Sequence, residues 1–320
     1  MAIDNKLLAQ AREAIEGADS ILLTSHVGPD GDALGSVLGL GLALIEAGKK
    51  VQMVLSDGVP TGFDHLEGVE LIQRAPKSKV DLAIGVDCGD LERLGNAVAM
   101  QDHVDINIDH HVTNTHFAKI NIVDPEMVAT SAQIAAYLEP LGLKLTDAAR
   151  DALLTGIITD SLGFHTSNMN ANALEIAASL VDAGANIQDL YERALLLRSF
   201  EAMRYWGAAL SRLERDGRLI WTTMTPEDRK NSGYREINDA ELINTLASTE
   251  GADITVVFIE QDGKDQIKVS WRSRNGVDVA TLASSFGGGG HKAASGATVK
   301  GSLEEVKEKI LKASLEALEG

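Results

Sequence analysis

The stretch I-L-L-T-S-H-V-G-P-D-G-D-A-L-G-S, residues 21–36, joins an apolar run to a segment rich in glycine and leucine. The run at residues 21–23 predicts a short buried strand. A helix is predicted over residues 33–47, ending at Gly48, and its glycines indicate close packing against a neighbour. A strand, a tight turn and a helix in this order indicate an α/β unit.

The turn in this stretch contains one histidine and two aspartates, His26, Asp30 and Asp32. Two carboxylates so close in sequence repel each other. They are tolerated at a solvated loop tip, since G-P-D-G-D is also ordinary turn chemistry, or where a cation lies between them. The stretch alone leaves both interpretations open.

Strands and helices alternate along the first part of the chain. Further strands are predicted at residues 51–55, 80–86 and 106–108, and helices at residues 130–138, 147–158 and 171–183. This alternation predicts an α/β domain with a mostly parallel sheet. One long helix is predicted over residues 187–213, followed by strands and helices typical of a smaller α+β domain. The predicted boundaries are 1–186 for the first domain, 187–213 for the helical linker and 214–320 for the second domain.

The composition limits the classes of partner. The chain has 320 residues, a formal net charge of −18 and a single cysteine, Cys88. A chain this acidic lacks the basic stripe of a duplex-binding protein, so a phosphate ligand should be small and met by local cations. One cysteine excludes an internal disulfide and favours a reducing compartment. There is no signal-peptide pattern, and the longest apolar stretch, residues 35–45, is too short to span a bilayer, so we expect a cytoplasmic protein without a membrane partner.

Four short stretches concentrate carboxylates and histidines at the ends of predicted elements. They are His26-x-x-x-Asp30-x-Asp32, V-D-C-G-D with Asp87, Asp109-His110-His111, and G-I-I-T-D with Asp160. Parallel α/β sheets bind ligands outside the carboxyl ends of their strands. Most of these residues follow strands, so we expect them to converge on one edge of the sheet. Each stretch alone can be a turn, a loop or a solvated helix end, but their joint occurrence favours a common site.

The side chains in these stretches have the chemistry of a metal site. Imidazole and carboxylate groups without thiolate suit Mn²⁺, Mg²⁺ or Fe²⁺ better than a structural zinc ion. The candidate ligands exceed what one catalytic ion needs, but two ions with a shared bridging carboxylate would use them all. Two metal ions about 3.5–4 Å apart are the usual arrangement for in-line displacement at phosphorus.

The order of these stretches resembles a known family. H-V-G-P-D-G-D-A-L-G-S, V-D-C-G-D, D-H-H and T-D-S-L-G-F are similar to the four motifs of the DHH phosphoesterases. F-G-G-G-G-H-K-A-A-S-G, residues 286–296, resembles the signature of their DHH-associated C-terminal domain. The resemblance covers nearly the whole chain and points to the members that degrade very short oligoribonucleotides.

The resemblance implies a two-metal site, most often with Mn²⁺ and with Mg²⁺ as the alternative. One ion would be held by His26 and Asp30, the other by Asp32, His110 and Asp160, with Asp87 as the bridging ligand. His111 would face the scissile phosphate and donate a proton to the leaving oxygen, while Asp109 would orient a histidine. The nucleophile would be a hydroxide that both metal ions activate.

The second domain contains the candidate substrate-binding residues. By resemblance, the terminal phosphate or nucleotide would be held in the interdomain cleft by Arg272, Ser273, Gly288, Gly289, Gly290 and His291. A glycine loop lets backbone N–H groups approach an anion, and an arginine offers a planar fork to phosphate. The ordinary alternatives are a flexible hinge for the glycines and a solvated charge for the arginine.

We therefore expect a phosphoesterase that hydrolyses short oligoribonucleotides to mononucleotides and removes the 3′-phosphate from 3′-phosphoadenosine 5′-phosphate. A phosphodiesterase for cyclic or linear dinucleotides would use the same site, so it stays an alternative. Many relatives have an arginine where this chain has His165, which leaves substrate preference open. A nucleotide-binding module without catalysis is the alternative from another class. A homodimer is expected from the resemblance and from the frequency of two-fold symmetry.

Overall fold

The computed structural model describes residues 5–263 and 265–319, with the side chain of His291 outside the description. The chain divides into two compact units, Met1–Leu197 and Arg198–Gly320. No helix among the described residues is long and apolar enough to cross a membrane.

The first unit is built on a five-stranded sheet in which every pairing is parallel. Its strands lie in the order β2-β1-β3-β4-β5. They are β1 (Ser20–Thr24), β2 (Lys50–Val54), β3 (Leu82–Val86), β4 (Ile106–Asp109) and β5 (Ile120–Val123). The predicted α/β fold with a parallel sheet is confirmed, although the short strand β5, of sequence I-N-I-V, was not predicted.

Helices cover this sheet, so the central strands are buried on both faces. All five residues of β3 are buried, which is why its sequence L-A-I-G-V is continuously small or apolar. The helices of the first unit begin with α1 (Asn5–Gly17), α2 (Gly31–Glu46), α3 (Thr130–Tyr137), α4 (Asp147–Asp160) and α5 (Ala171–Asp182). Short 3₁₀ segments lie at Val69–Leu71 and Leu91–Val98.

Glycines allow α2 and α4 to approach each other unusually closely. A Cβ atom added at Gly35 would lie 2.6 Å from the carbonyl oxygen of Ala152, and one added at Gly39 would lie 2.4 Å from the side chain of Leu153. Real side chains do not tolerate such distances. The two helices can therefore keep this separation only while these positions have no side chain.

The segment after α5 differs from the single helix predicted over residues 187–213. It forms α6 (Ile187–Tyr191), a π-helical turn at Glu192–Leu196, and α7 (Phe200–Leu210). The helix breaks because Leu197 adopts an extended backbone, with φ −68° and ψ 130°. Ser199 then starts a new helix, since its side chain accepts a hydrogen bond from the backbone N–H of Ala202. The prediction of one continuous linker helix is wrong.

The second unit has a mixed six-stranded sheet with helices, as predicted for an α+β domain. Its strand order is β10-β11-β9-β8-β7-β6, in which only β7 and β8 run parallel. The strands are β6 (Glu214–Asp216), β7 (Leu219–Met224), β8 (Ile254–Glu260), β9 (Gln266–Ser273), β10 (Gly289–His291) and β11 (Ala294–Lys300). The helices are α8 (Pro226–Ser232), α9 (Leu242–Leu246), α10 (Val279–Ser284) and α11 (Leu303–Glu319).

The glycine run was expected to be a loop, but Gly289 and Gly290 lie in strand β10, which pairs antiparallel with β11. Glycine is required there for packing. A Cβ atom at Gly288 would lie 2.2 Å from the carbonyl oxygen of Gly296, and one at Gly290 would lie 2.5 Å from that of Ala294. Gly289 differs, because a Cβ atom there would meet nothing within 4 Å.

We predict that Gly35→Ala destabilises the first unit, because the new methyl group must push α2 away from α4. Overpacking of this kind costs about 1–3 kcal/mol, more than the roughly 1 kcal/mol that alanine gains over glycine in a helix. Thermal unfolding of the variant measures the effect. Gly17→Ala is the matched control, since Gly17 lies in α1 with nothing within 4 Å of an added Cβ. An unfolding midpoint equal to that of the control would contradict the close-contact argument.

Candidate metal centre

The predicted ligands lie at the carboxyl ends of the central strands. Asp87 directly follows β3, His110 and His111 directly follow β4, and His26 lies two residues beyond β1. Two helices supply the other three ligands. Asp30 caps the start of α2, Asp32 lies in the first turn of α2, and Asp160 is the last residue of α4. Residues far apart in sequence therefore meet at one edge of the sheet.

Asp87 is the centre of this cluster. Its Oδ2 lies 3.6 Å from Nε2 of His26, and its Oδ1 lies 3.8 Å from Nε2 of His110 and 3.9 Å from Nδ1 of His111. Nε2 of His110 also lies 3.8 Å from Oδ2 of Asp160. One carboxylate thus faces histidines from two directions.

Three overlapping groups in this cluster can hold a metal ion. The ligand atoms in each group lie within 4.8 Å of one another, and the groups are Asp87, His110 and His111; His26, Asp30 and Asp87; and Asp32, His110 and Asp160. Asp87 occurs in two groups and His110 in two. All six predicted metal ligands are included, and His111, predicted to face the phosphate, also lies within reach of a metal ion.

The charges of the cluster fit a cation. Asp32 and Asp87 are almost fully buried, with 1% and 2% exposure. Among the described residues, the ion pairs of the six predicted ligands join them only to one another and to His111, without lysine or arginine. Buried carboxylates without a fixed positive charge are costly, and divalent ions would remove this cost.

The histidine orientations fit metal ligation as well. Nδ1 of His26 lies 2.9 Å from the carbonyl oxygen of Val27, and Nδ1 of His110 lies 3.2 Å from that of Met127. A carbonyl oxygen only accepts, so Nδ1 carries the hydrogen in both rings. This leaves Nε2 of each ring facing the carboxylates, which is the arrangement common to ligating histidines.

The pKa values of the carboxylates reflect their burial and the charges around them. Burial, with the charges of Asp87 and Asp30 in support, raises the pKa of Asp160 to about 6. Burial and the charges of Asp87 and Asp160 raise the pKa of Asp32 well above its usual range. In Asp87 the effect of burial is outweighed by the nearby His26 ring and the charges of the histidines, so its pKa falls to about 2.

Burial opposes protonation of His110, but the surrounding carboxylates outweigh it. The charges of Asp32, Asp160 and Asp87 raise the pKa of His110 to about 9. In the absence of a cation, a proton on His110 therefore provides part of the missing positive charge.

The backbone at Asp87 is in the left-handed region, with φ 52°. Aspartate is one of the few non-glycine residues that adopt this conformation, although at some cost. The N–H of Asp87 donates to the carbonyl oxygen of Ile108, 2.9 Å away, which ties the end of β3 to β4.

Asp109 orients His111, the second histidine of the triplet. Its Oδ1 accepts a 2.7 Å hydrogen bond from Nδ1 of His111, and its Oδ2 accepts one of 2.6 Å from Asn114. Asn114 donates in turn to Oδ1 of Asn107, 2.8 Å away. The hydrogen bond to Asp109 raises the pKa of His111, so this ring favours the protonated form.

The start of α3 is a part of the site that sequence reasoning missed. The backbone N–H groups of Thr130 and Ser131 donate to Oδ2 and Oδ1 of Asp32, at 2.7 and 2.9 Å. Ala129 is the N-cap of this helix and provides no side-chain hydrogen bond. Asp32 replaces the missing cap from a distant part of the chain. One indication of this cap was present in the sequence: Ala129 stands at a helix start, where a polar residue is usual.

The predicted substrate-binding residues of the second unit are engaged to different degrees. Nε of Arg272 donates to Asn244 and Nη1 donates to the carbonyl oxygen of Trp271, each at 3.0 Å. The hydroxyl of Ser273 is within hydrogen-bond distance of the carbonyl oxygens of Val277 and Lys292, at 2.7 and 3.1 Å. Arg272 is therefore held in place by its neighbours, while Ser273 closes a turn of the fold.

His165, whose role the sequence leaves open, lies exposed in the turn that follows Asp160. The side chain of His291 lies outside the described part of the chain.

Comparisons with known proteins agree with this geometry. Residues 20–157 match the DHH family, N-terminal domain, and residues 231–320 match the DHHA1 domain. Over 98% of this chain and 94% of the relative, the sequence is 34% identical to the bifunctional oligoribonuclease and PAP phosphatase NrnA of Thermus thermophilus. The chain belongs to the DHH family. DHH phosphoesterases are metal-dependent, and the acidic and histidine groups described above can bind metal.

Other known proteins match the chain at lower identity. The oligoribonuclease and PAP phosphatase NrnA of Bacillus subtilis is 27% identical over 88% of this chain and 90% of its own length. The cyclic-di-AMP phosphodiesterase GdpP of Geobacillus thermodenitrificans is 26% identical, with 88% of this chain and 44% of that protein covered. An exopolyphosphatase-related protein from Bacteroides fragilis has a similar structure, with a TM-score of 0.89, 26% identity and coverage of 99% and 97%.

We predict that the affinity for Mn²⁺ rises as the pH rises from about 6 to about 9. His110, with its pKa raised to about 9, must lose its proton before it can bind a metal ion. For each proton that metal binding releases, the binding constant for Mn²⁺ increases by up to roughly tenfold per pH unit. Calorimetric titration at several pH values, in buffers of different ionisation enthalpy, measures both affinity and proton release. Binding that does not depend on pH would contradict a role for His110 as a ligand.

The metal-free protein provides the control, because its stability should change in the opposite direction. The folded pKa of His110 lies above the ordinary value of 6.5, so the stability that it adds is complete below pH 6.5 and is lost as the pH rises through about 9. One unit of pKa shift corresponds to about 1.4 kcal/mol. Thermal unfolding with a chelator should therefore begin at lower temperature at pH 9 than at pH 6.5.

Proposed function

We propose that this protein is a two-metal phosphoesterase that hydrolyses short oligoribonucleotides to mononucleotides and removes the 3′-phosphate from 3′-phosphoadenosine 5′-phosphate. The observation that carries the proposal is the cluster around the buried Asp87, in which three overlapping groups can hold metal ions. Several relatives that align with almost the whole chain are named oligoribonuclease and PAP phosphatase. Both reactions break a phosphoester bond at such a centre.

In this proposal the six predicted ligands divide between two ions. His26 and Asp30 hold one ion, Asp32, His110 and Asp160 hold the other, and Asp87 bridges them. The grouping of ligand atoms around Asp87 supports this division. We further propose Mn²⁺ as the metal, since the ligand set combines imidazole with carboxylate and has no thiolate.

The metal ions, when bound, activate water and neutralise charge on the phosphate. His111 acts beside them. Asp109 holds its Nδ1–H at 2.7 Å and favours the protonated ring, so Nε2 is the atom that donates a proton to the leaving oxygen as the phosphorus–oxygen bond breaks. Asn114 keeps Asp109 in the orientation that this transfer needs.

We propose that residues 1–186 catalyse the reaction, that residues 187–213 link the two domains, and that residues 214–320 select the substrate. Arg272 and the segment of Gly288, Gly289, Gly290 and His291 would bind the terminal phosphate of a short substrate. Nη2 of Arg272 has no hydrogen-bond partner among the described residues, so it can donate to an anion. The hydroxyl of Ser273 donates to the carbonyl oxygen of Val277. We therefore propose that Ser273 stabilises the turn and does not bind substrate.

The formal net charge of −18 supports a small substrate over a duplex, because the surface repels long polyanions while the metal ions and Arg272 attract a short one. We propose the cytoplasm as its location, since a single cysteine suits a reducing compartment. The homodimer stays a prediction.

The proposal is tested by turnover of a 5′-phosphorylated RNA dinucleotide with Mn²⁺, with chelator, and beside a cyclic dinucleotide. We expect Mn²⁺-dependent release of mononucleotides from the linear substrate and none with the chelator. Cleavage of the cyclic compound instead would favour the alternative that the similarity to GdpP suggests. Metal-independent binding without turnover of any of these compounds would favour a nucleotide-binding module.

Gly289→Ala in the same assay tests the second unit. The fold has room for the methyl group at this position, so stability should be unchanged. If the backbone there contacts substrate, KM should rise by roughly tenfold, a loss of about 1.4 kcal/mol, with kcat nearly unchanged. Gly207→Ala is the matched control, because Gly207 lies in α7 of the same unit with nothing within 4 Å of an added Cβ. An unchanged KM would contradict the proposed role of the glycine segment.

A further inference from the structure

Thr130 contacts two of the proposed metal ligands at once. Its hydroxyl donates to Oδ1 of Asp87 at 3.0 Å, and its backbone N–H donates to Oδ2 of Asp32 at 2.7 Å. The residue is fully buried, as is the hydrogen bond to Asp87. None of the four motifs includes Thr130, although it joins a carboxylate assigned to one ion with the carboxylate assigned to both.

The position of Thr130 is fixed from two sides. The next residue, Ser131, donates its N–H to the other oxygen of Asp32 at 2.9 Å. Gly156 of α4 lies against the side chain of Ser131, since a Cβ atom there would be 2.5 Å from its Oγ. The start of α3 is therefore held against α2 and α4, and Thr130 cannot move independently of the site.

The direction of the hydrogen bond to Asp87 follows from the chemistry of the two groups. An ionised carboxylate has only acceptors, so the threonine hydroxyl must be the donor. The terminal torsion of an aspartate is broad, so the carboxylate plane needs a partner to fix it. Thr130 supplies that partner on Oδ1, the oxygen that faces His110 and His111.

If Asp87 bridged two ions through its two oxygens, each oxygen would need a free lone pair for one ion. The hydroxyl of Thr130 occupies one lone pair of Oδ1 and leaves the second for a metal ion. On the other side, Nε2 of His26 lies 3.6 Å from Oδ2. The hydrogen bond from Thr130 thus orients the carboxylate plane of Asp87.

We propose that Thr130 is a positioning residue of the metal centre, whose hydroxyl fixes Asp87 in the orientation that lets it bridge two ions. The inference rests on the proposed two-metal function and adds a residue to it. Thr130 acts through Asp87 and does not touch substrate. Its backbone N–H gives it a second role, since it sets the distance between Asp32 and Asp87.

The test is Thr130→Val, which removes the hydroxyl and keeps both the branched shape and the N–H that binds Asp32. Binding is measured from the loss of the electron paramagnetic resonance signal of free Mn²⁺ as full-length protein is added. Loss of a residue that orients a metal ligand weakens metal binding by about 10- to 100-fold, and we expect a loss in this range. Thr130→Ser restores the donor and should bind Mn²⁺ within about threefold of the wild-type protein.

Thr155→Val is the matched control for removal of a buried threonine hydroxyl. Thr155 is also fully buried in the first unit, but its hydroxyl donates to the carbonyl oxygen of Asp151 within α4. We expect its Mn²⁺ affinity to equal that of the wild-type protein. If the valine variant of Thr130 does not fold, Thr130→Ala is compared with Thr130→Ser instead. Both variants lack the methyl group of threonine, and only the serine variant keeps the hydroxyl donor.

The kinetic readout separates positioning from general damage. At saturating Mn²⁺, the valine variant should keep the wild-type KM and lose kcat, since the substrate contacts are intact. Wild-type Mn²⁺ affinity in Thr130→Val, or an equal loss in Thr130→Ser or Thr155→Val, would overturn the inference. Failure of the wild-type protein itself to bind Mn²⁺ would instead overturn the proposed function, so the two failures are distinguishable.

Discussion

The close approach of α2 and α4 is the constraint on which the rest of the candidate centre depends. Gly35 and Gly39 of α2 lie against the backbone and side chains of α4, and a methyl group at either position would separate the helices. Because Asp32 lies in the first turn of α2 and Asp160 ends α4, this contact determines whether the two carboxylates can reach the same ion. The glycines that allow the two helices to pack closely therefore also determine the distance between the two carboxylates.

The convergence of carboxylates creates an electrostatic cost that the protein distributes over its surroundings. The N-terminal N–H groups of α3 stabilise Asp32, as expected for an anion at a helix start. His26, His110 and His111 surround Asp87 and lower its pKa to about 2. The remaining negative charge is what makes the cluster suitable for divalent cations.

The sequence was sufficient for the parallel sheet and for the set of residues that meet at its edge, because motif residues directly follow apolar strands such as β3. It was not sufficient for features that depend on tertiary contacts. Asp32 caps the start of α3 although it lies 98 residues before Thr130 in the chain. Neither this cap nor the role of Thr130 could therefore be predicted from local sequence. Strand β10 was missed because a glycine run has no periodicity, and the helix break at Leu197 has no proline or glycine to mark it.

A bridging Asp87 requires two metal ions, and the number of ions bound tests this arrangement most directly. Metal analysis of the full-length protein after equilibration with Mn²⁺, together with its electron paramagnetic resonance spectrum, gives both stoichiometry and coupling between ions. We predict two Mn²⁺ per chain in a spin-coupled pair, and loss of the coupling in Asp87→Asn. A single uncoupled ion per chain, or a coupled pair that persists in Asp87→Asn, would contradict this arrangement.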